Sequence, residues 1–592
     1  MKLIRLILIA SVALTAYAMA MLCMVEPWFI VIFAVAAIAV ASKRSYTRLN
    51  AFGTAAWASA EELDRAGMLG AKSNGLILGR MDVPRQKLRA VLKLFNPHVR
   101  ASVACEEFLA ILRKSTQQLL VSLTHACHTM VVAPTGVGKG VSIVIPHGLN
   151  CPDSTVFVDF KGEIFRATAE YRERVLGHRI VVIDPFNLVT QSPDTLNPLD
   201  LIKRDSPQAI DDCRDLAEAL VTRTGQEKEP HWNDSAELWI AAMVAVVVLY
   251  GQENDRSLQT IRQLLTNPEK MQAVIKLMCE SNAWDGMLSR LGHQLTHFRD
   301  KELGSVLTTT NRFLRFLDTP TISESTKRSS FDPADLLKGR MTIYLILPPE
   351  HMRALAALLR MWIGSMLRAV VRGGLQEKHK VHFVLDEAAS LGYMEALDDA
   401  VDKYRAYGVR LLFLYQSLGQ LKLCWPEGRD QTLMSNTTQV FLGVNDQPTA
   451  EYIATRLGEA TIVVRSGGTN TGNSYQTSDD GSRSSSQSTG ASDNWSQSGR
   501  ALLKPDEVLN LDPRIAITFT PGVSPCWTRL LRYYEERTSP PGWQERLWAS
   551  VKMFAGSVLI LAVATMLALG ASVFANEKSN ERRSQAQQSF YR

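Results

Sequence analysis

The chain has 592 residues, of which 46% are apolar and 21% charged, with a formal net charge of +6. That length exceeds one compact core, and so small a net charge does not by itself indicate nucleic-acid binding, leaving a local basic patch open. The eight cysteines form no CxxC pair, which sets aside zinc ribbons, dithiol redox motifs and a disulfide framework, and the soluble part reads as cytosolic.

In chain order, residues 6–41 come first, with Glu26 as their one charge. As a single helix they would run about 54 Å against a hydrocarbon core of about 30 Å. Glu26-Pro27 is a natural break, so the stretch reads as two membrane spans, 6–25 and 28–42. Lys2 and Arg5 before it, and Lys43, Arg44 and Arg48 after it, place both flanks in the cytoplasm.

Residues 51–125 are mixed, with a strand expected at 76–78. Short β-rich runs follow at 130–133, 155–159 and 180–183, as in buried parallel sheets. From 205 to 325 the periodicity is helical. Strands resume at 341–347, 381–385, 409–415 and 439–444, alternating with helices such as 355–371. The pattern predicts an α/β doubly wound sheet interrupted by an all-α domain. Residues 465–500 are rich in Ser, Gly, Asn and Thr and read as a flexible excursion too polar to pack. Runs at 516–520 and 528–533 are expected to close the sheet. Residues 553–575 are uncharged, lack the polar face of an interfacial helix and are long enough to span, which would put the C-terminal tail outside. The expected layout is a two-span anchor at 1–50, a nucleotide-binding domain at 51–204 and 326–540, the all-α insertion at 205–325, and a hydrophobic span with a short tail at 541–592.

The run VVAPTGVGKG, 131–140, carries the chemistry. A phosphate loop needs a strand, a glycine turn with free backbone N–H groups, and a helix N-terminus. Here Thr135, Gly136, Val137, Gly138, Lys139, Gly140 and Val141 form the expected nucleotide-binding set, with Lys139 reaching the β- and γ-phosphates. Ala133 stands where the first glycine is usual, and Gly140 where a Ser/Thr hydroxyl normally touches Mg²⁺. A site for ATP also argues against reading Lys2, Arg5 and Ala16-Tyr17-Ala18 as a cleaved signal peptide, since export would strand the site away from the ATP pool.

The run HFVLDEAA, 382–389, puts Asp386-Glu387 at the carboxyl end of a strand, facing the phosphate crevice. Asp386 is expected to hold the Mg²⁺ shell, and Glu387 to orient or deprotonate the attacking water. A third strand ends in Gln416, suited to sensing the γ-phosphate or placing the water. Arg405 and Arg410 flank its start and are candidates for an arginine finger acting on a neighbouring subunit's nucleotide, with structural ion pairs as the competing role.

These residues resemble the type IV secretion coupling proteins, the VirD4/TraG family of conjugative ATPases. The resemblance covers residues 51–536 through GTAAW (53–57), APTGVGKG with Ile145-Pro146, VDFKGE (158–163), IDP (183–185), LNPL (196–199), VLDEAASLG (384–392), YRAYGVRLLFLYQSLGQL (404–421) and SNTTQVFLGVND (435–446). It implies a RecA-like P-loop NTPase sheet with an inserted all-α domain, an inner-membrane location in Gram-negative bacteria, and a homo-hexamer. It implies an ATPase that hands single-stranded DNA bound to a relaxase, or protein effectors, to the inner-membrane components of a secretion channel. By position, Lys139 is the Walker A lysine, Asp386 and Glu387 the Walker B pair, and Gln416 the post-strand glutamine. The C-terminal hydrophobic stretch departs from the usual family pattern. A receptor that recruits protein cargo through 205–325 is the competing reading. A chromosome-segregating DNA pump is disfavoured, because no C-terminal winged-helix module follows the Walker B block.

Overall fold

The computed structural model describes residues 51–70, 75–84, 116–124, 128–223, 227–253, 255–477 and 483–535. The expected spans at 6–25, 28–42 and 553–575 lie outside the described residues.

The short β-branched runs pair into one large sheet. Its strands are β1 (Leu76–Pro84), β2 (Thr116–Leu123), β3 (His128–Val132), β4 (Ser154–Asp159), β5 (Arg179–Ile183), β6 (Met341–Ile346), β7 (Val381–Leu385), β8 (Val409–Tyr415) and β9 (Thr437–Leu442). Two more, β12 (Ile515–Phe519) and β13 (Cys526–Arg529), follow a separate ribbon of β10 (Glu459–Thr477) and β11 (Arg483–Ala501). The order is β2-β1-β13-β12-β9-β3-β8-β7-β4-β6-β5. From β9 to β5 every pairing is parallel, and from β9 outward to β2 every pairing is antiparallel. Strands β3, β4, β6 and β9 are buried along their whole length, as near-continuous apolar runs in a helix-covered parallel sheet require. The mixed segment hid more strand than 76–78: β1 extends to Pro84, and β2, TQQLLVSL, carries too many glutamines and serines to signal itself.

Among the described residues, no strand occurs between β5 and β6. That stretch is helical, including Ala209–Leu220, His231–Tyr250, Pro268–Glu280 and Asp300–Leu314. Two helical segments, His231–Tyr250 and Pro349–Arg372, are long and apolar enough to cross a membrane. Each is instead a core element: 72% of its apolar window is buried, with Trp239 and Trp362 almost fully enclosed.

The described residues fall into two compact units, 57–454 with 503–535, and 51–56 with 455–502. The second holds the segment expected as a flexible excursion at 465–500, most of which lies in two paired strands. Strands β10 and β11 pair antiparallel from Glu459↔Ala501 to Thr477↔Arg483. Main-chain hydrogen bonds need no apolar side chains, so a polar run that cannot build a core can still form a ladder. Ala55 N donates to Glu459 O at 3.0 Å and Thr461 N to Gly53 O at 3.2 Å, an isolated antiparallel bridge at the ribbon's base.

Candidate nucleotide site

The site is built on the carboxyl ends of β3, β8 and β7, adjacent strands whose register aligns Val132 with Tyr415 and Phe413 with Leu385. The phosphate loop leaves β3 at Ala133, whose N–H extends the ladder to Tyr415 O at 2.9 Å. Gly136 (φ 88) and Gly138 (φ 98) then take left-handed backbone angles that a side chain would strain. Among the described residues, the backbone N–H groups of Thr135, Gly136, Val137, Gly138 and Lys139 make no hydrogen bond within the chain. That is the unpaired row of donors an anion requires. Val137 is wedged against Gly443 at the end of β9, where an added Cβ would stand 2.5 Å from a Val137 methyl. The loop is therefore braced from the neighbouring strand.

After Lys139 the chain makes a π-helical turn, Gly140–Val144, before the helix Ile145–Asn150. Pro146 cannot donate to the carbonyl one turn back, and its ring crowds that carbonyl, so the widened turn precedes it. A Cβ at Gly140 would meet nothing within 4 Å. Crowding does not explain the missing hydroxyl there.

Asp386 follows β7. Burial pushes its carboxyl up to about 6; Lys139 opposes this, while Glu387, Asp159 and Glu163 reinforce it. Three further carboxylates thus act on Asp386 against one lysine, an excess of negative charge that a divalent cation relieves, so the residues present fit Mg²⁺. Glu387 sits at φ 64, ψ 51, an uncommon backbone for a side-chain-bearing residue and one that clusters at functional sites. Gln416 Nε2 donates to Glu387 Oε1 at 2.7 Å and Gln420 Nε2 to the same oxygen at 3.4 Å. Gln416 N in turn donates to Gln420 Oε1 at 2.8 Å. The fold therefore brings Lys139, Asp386, Glu387 and Gln416 together. Gln420 was not foreseen; the GQL spacing one helical turn past Gln416 was its only signal. Asp159, at the end of β4, accepts from Phe165 N at 2.9 Å and Lys161 N at 3.2 Å, so it organises the VDFKGE loop while lending its charge to Asp386.

Arg405 and Arg410 lie elsewhere. Both sit at the N-terminal end of β8, where Arg410 donates to Arg405 O at 3.2 Å and Val409 O at 2.8 Å. The strand separates them from Gln416 by about 15–20 Å. Neither belongs to this chain's own site. Their charges add to burial in pushing His128 down to about 3.

A cleft of about 500 Å³ opens on the same carboxyl edge of the sheet, beyond β5 and β6. It is lined by Phe186, His351 and Arg353 from the sheet side and by Arg312, Phe313 and Arg315 from the helical insertion. The Phe186 and His351 rings are 5.3 Å apart, and the Arg312 guanidinium lies 4.9 Å from the Phe313 ring centre. None of the three arginines is ion-paired among the described residues.

Residues 56–566 match the family described as type IV secretory system conjugative DNA transfer. Protein VirD4 of Rhizobium radiobacter is 30% identical over 424 residues, 69% of this chain and 57% of that protein. Conjugal transfer protein TraG of the same organism is 30% identical over 407 residues, 67% of this chain and 60% of that protein. The chain thus spans 57–60% of the length of these relatives. Plasmid coupling protein TrwB, solved in complex with ADP and Mg²⁺, is similar in fold, with a TM-score of 0.52 at 18% identity over 70% of this chain and 87% of that one.

Proposed function

The chain belongs to the type IV secretory system conjugative DNA transfer family, and from that premise we propose that it is a membrane-anchored ATPase driving single-stranded DNA, with its bound relaxase, into a type IV secretion channel. The reading places residues 6–25 and 28–42 in the bacterial inner membrane, the nucleotide site in the cytoplasm, and the chain in a homo-hexamer. The observation that carries it is the hydrogen bond of Gln416 to Glu387 beside the Lys139 loop. It ties a water-activating carboxylate to a residue on the strand between that carboxylate and the phosphate cradle.

In this mechanism the free loop amides and Lys139 hold the phosphates, and Asp386 holds Mg²⁺, which supplies charge neutralisation when bound. Glu387 accepts a hydrogen bond from the attacking water, and Gln416 and Gln420 fix its carboxylate in that direction. The Arg-Phe cleft favours DNA over protein as cargo, because unpaired guanidinium groups suit phosphates and Phe186, Phe313 and His351 offer stacking faces.

The test is ATP hydrolysis by the full chain in detergent, with and without single-stranded DNA. Stimulation that falls with added salt, and falls further in Arg315→Ala, supports the motor reading. Hydrolysis indifferent to DNA but raised by a protein cargo would replace it with a receptor acting through 205–325.

A further inference from the structure

At the opposite edge of the sheet, under the far end of the phosphate-loop helix, lie His147, Cys151 and His382. His147 and Cys151 are one helical turn apart and so share a face. His382 is the second residue of β7, paired in register with Thr155 of β4. One ligand atom from each of the three lies within 4.8 Å of the others. Cys151 is 1% exposed and His147 3%.

His147 is the anomaly. Its ring nitrogens make no hydrogen bond of ordinary length although the residue is enclosed, and the polar group that faces them is the Cys151 thiol. Leaving a buried polar atom unpaired costs about 1–3 kcal/mol. The His147 ring centre is 5.0 Å from that of His382. His382 Nε2 meets Asp153 Oδ2 at 3.5 Å, and the ring also faces the Cys151 thiol. A carboxylate behind a histidine is the arrangement that orients metal-bound imidazoles.

We propose that His147, Cys151 and His382 bind a single Zn²⁺ ion, with Asp153 as the positioning residue behind His382 and water in the fourth place. One thiolate and two imidazoles suit zinc better than Mg²⁺ or Ca²⁺, which take oxygen ligands. Tetrahedral zinc bonds of 2.0–2.3 Å bring ligand atoms to about 3.3–3.6 Å, so loading requires the trio to close by no more than about 1.5 Å. Arg172, fully buried, fixes the same loop by donating to Gly148 O at 2.7 Å, Cys151 O at 2.9 Å and Asp153 O at 2.8 Å. The ion would tie the end of the phosphate-loop helix to the first residues of β7, whose last residue precedes Asp386.

The test uses the full chain in detergent, purified without a histidine tag. The expected result is one zinc per chain by elemental analysis. After exchange for Co²⁺, a tetrahedral visible spectrum and a sulfur-to-cobalt charge-transfer band should appear. Cys151→Ser should remove the charge-transfer band, His147→Asn should weaken Co²⁺ binding at least 100-fold, and Asp153→Asn should weaken it 10–100-fold. Lys139→Ala should leave metal content unchanged, which separates this site from the nucleotide reading. Folded wild-type protein that carries no stoichiometric zinc and gives no cobalt spectrum overturns the proposal. The wild-type spectrum decides even if a variant fails to fold.

Discussion

In the proposed mechanism each side chain at the phosphate crevice has one separable job. Lys139→Ala and Glu387→Gln should each cut kcat by about 100-fold or more with the melting temperature little changed, since both act on the phosphates or the water. Gln416→Ala should lower kcat more than it raises KM, because Gln416 orients Glu387 rather than binding nucleotide. Asp386 carries the pH signature. Its carboxyl titrates at about 6, so Mg²⁺-dependent nucleotide binding should fail as pH drops through 6. The nucleotide-free protein responds in the opposite sense: with the folded pKa raised from 3.8, the neutral acid favours folding, and that contribution is lost as pH rises through 6. Asp386→Asn should therefore abolish turnover and raise the melting temperature of nucleotide-free protein at pH 8. Gly140→Ser has room for its hydroxyl and should lower the Mg²⁺ concentration needed for half-maximal turnover; an increase would mean the metal sits elsewhere. Lys139, Asp386, Glu387 and Gln416 were legible because each stands beside an apolar strand with a recognisable rhythm. Gln420 and the His147–Cys151–His382 trio were not, because their meaning arises from residues brought together across the fold.

Among elements, the helix Met352–Arg372 joins the insertion to the catalytic strand. Its Arg360, 1% exposed, donates to Ala219 O at 3.1 Å on the insertion side and to Leu391 O at 3.3 Å just past Glu387. It also faces Glu218 at 3.7 Å. Burial raises Glu218 from 4.5 to about 7, against the pull of Arg360. The protonated acid thus favours folding, fully below 4.5 and no longer once pH has passed 7. Melting temperature should fall between pH 6 and pH 8, and Glu218→Gln should flatten that slope. Arg360→Met should cost about 3–5 kcal/mol in a denaturant titration, since it strands a buried acid and several carbonyls. The alternation of strand and helix was legible from period alone. The β10–β11 ribbon was not, because the sequence gives no apolar stripe where the main chain alone makes the ladder.

For the whole molecule, the order of strands in space differs sharply from their order along the chain. The helical insertion and the interleaving of β3, β8 and β7 are what place Lys139 and Asp386 on one edge. That interleaving has a cost during synthesis. Strand β3 is flanked by β8 and β9, which begin at Val409 and Thr437. At about 5–20 residues per second, a ribosome that has made β3 needs roughly 15–60 s to deliver both neighbours. Through that interval an apolar strand with two bare edges must be kept from other chains. Fragments ending before Val409 should aggregate on expression while those ending after Arg529 stay soluble, and slowing translation between β3 and β8 should raise the demand for chaperones.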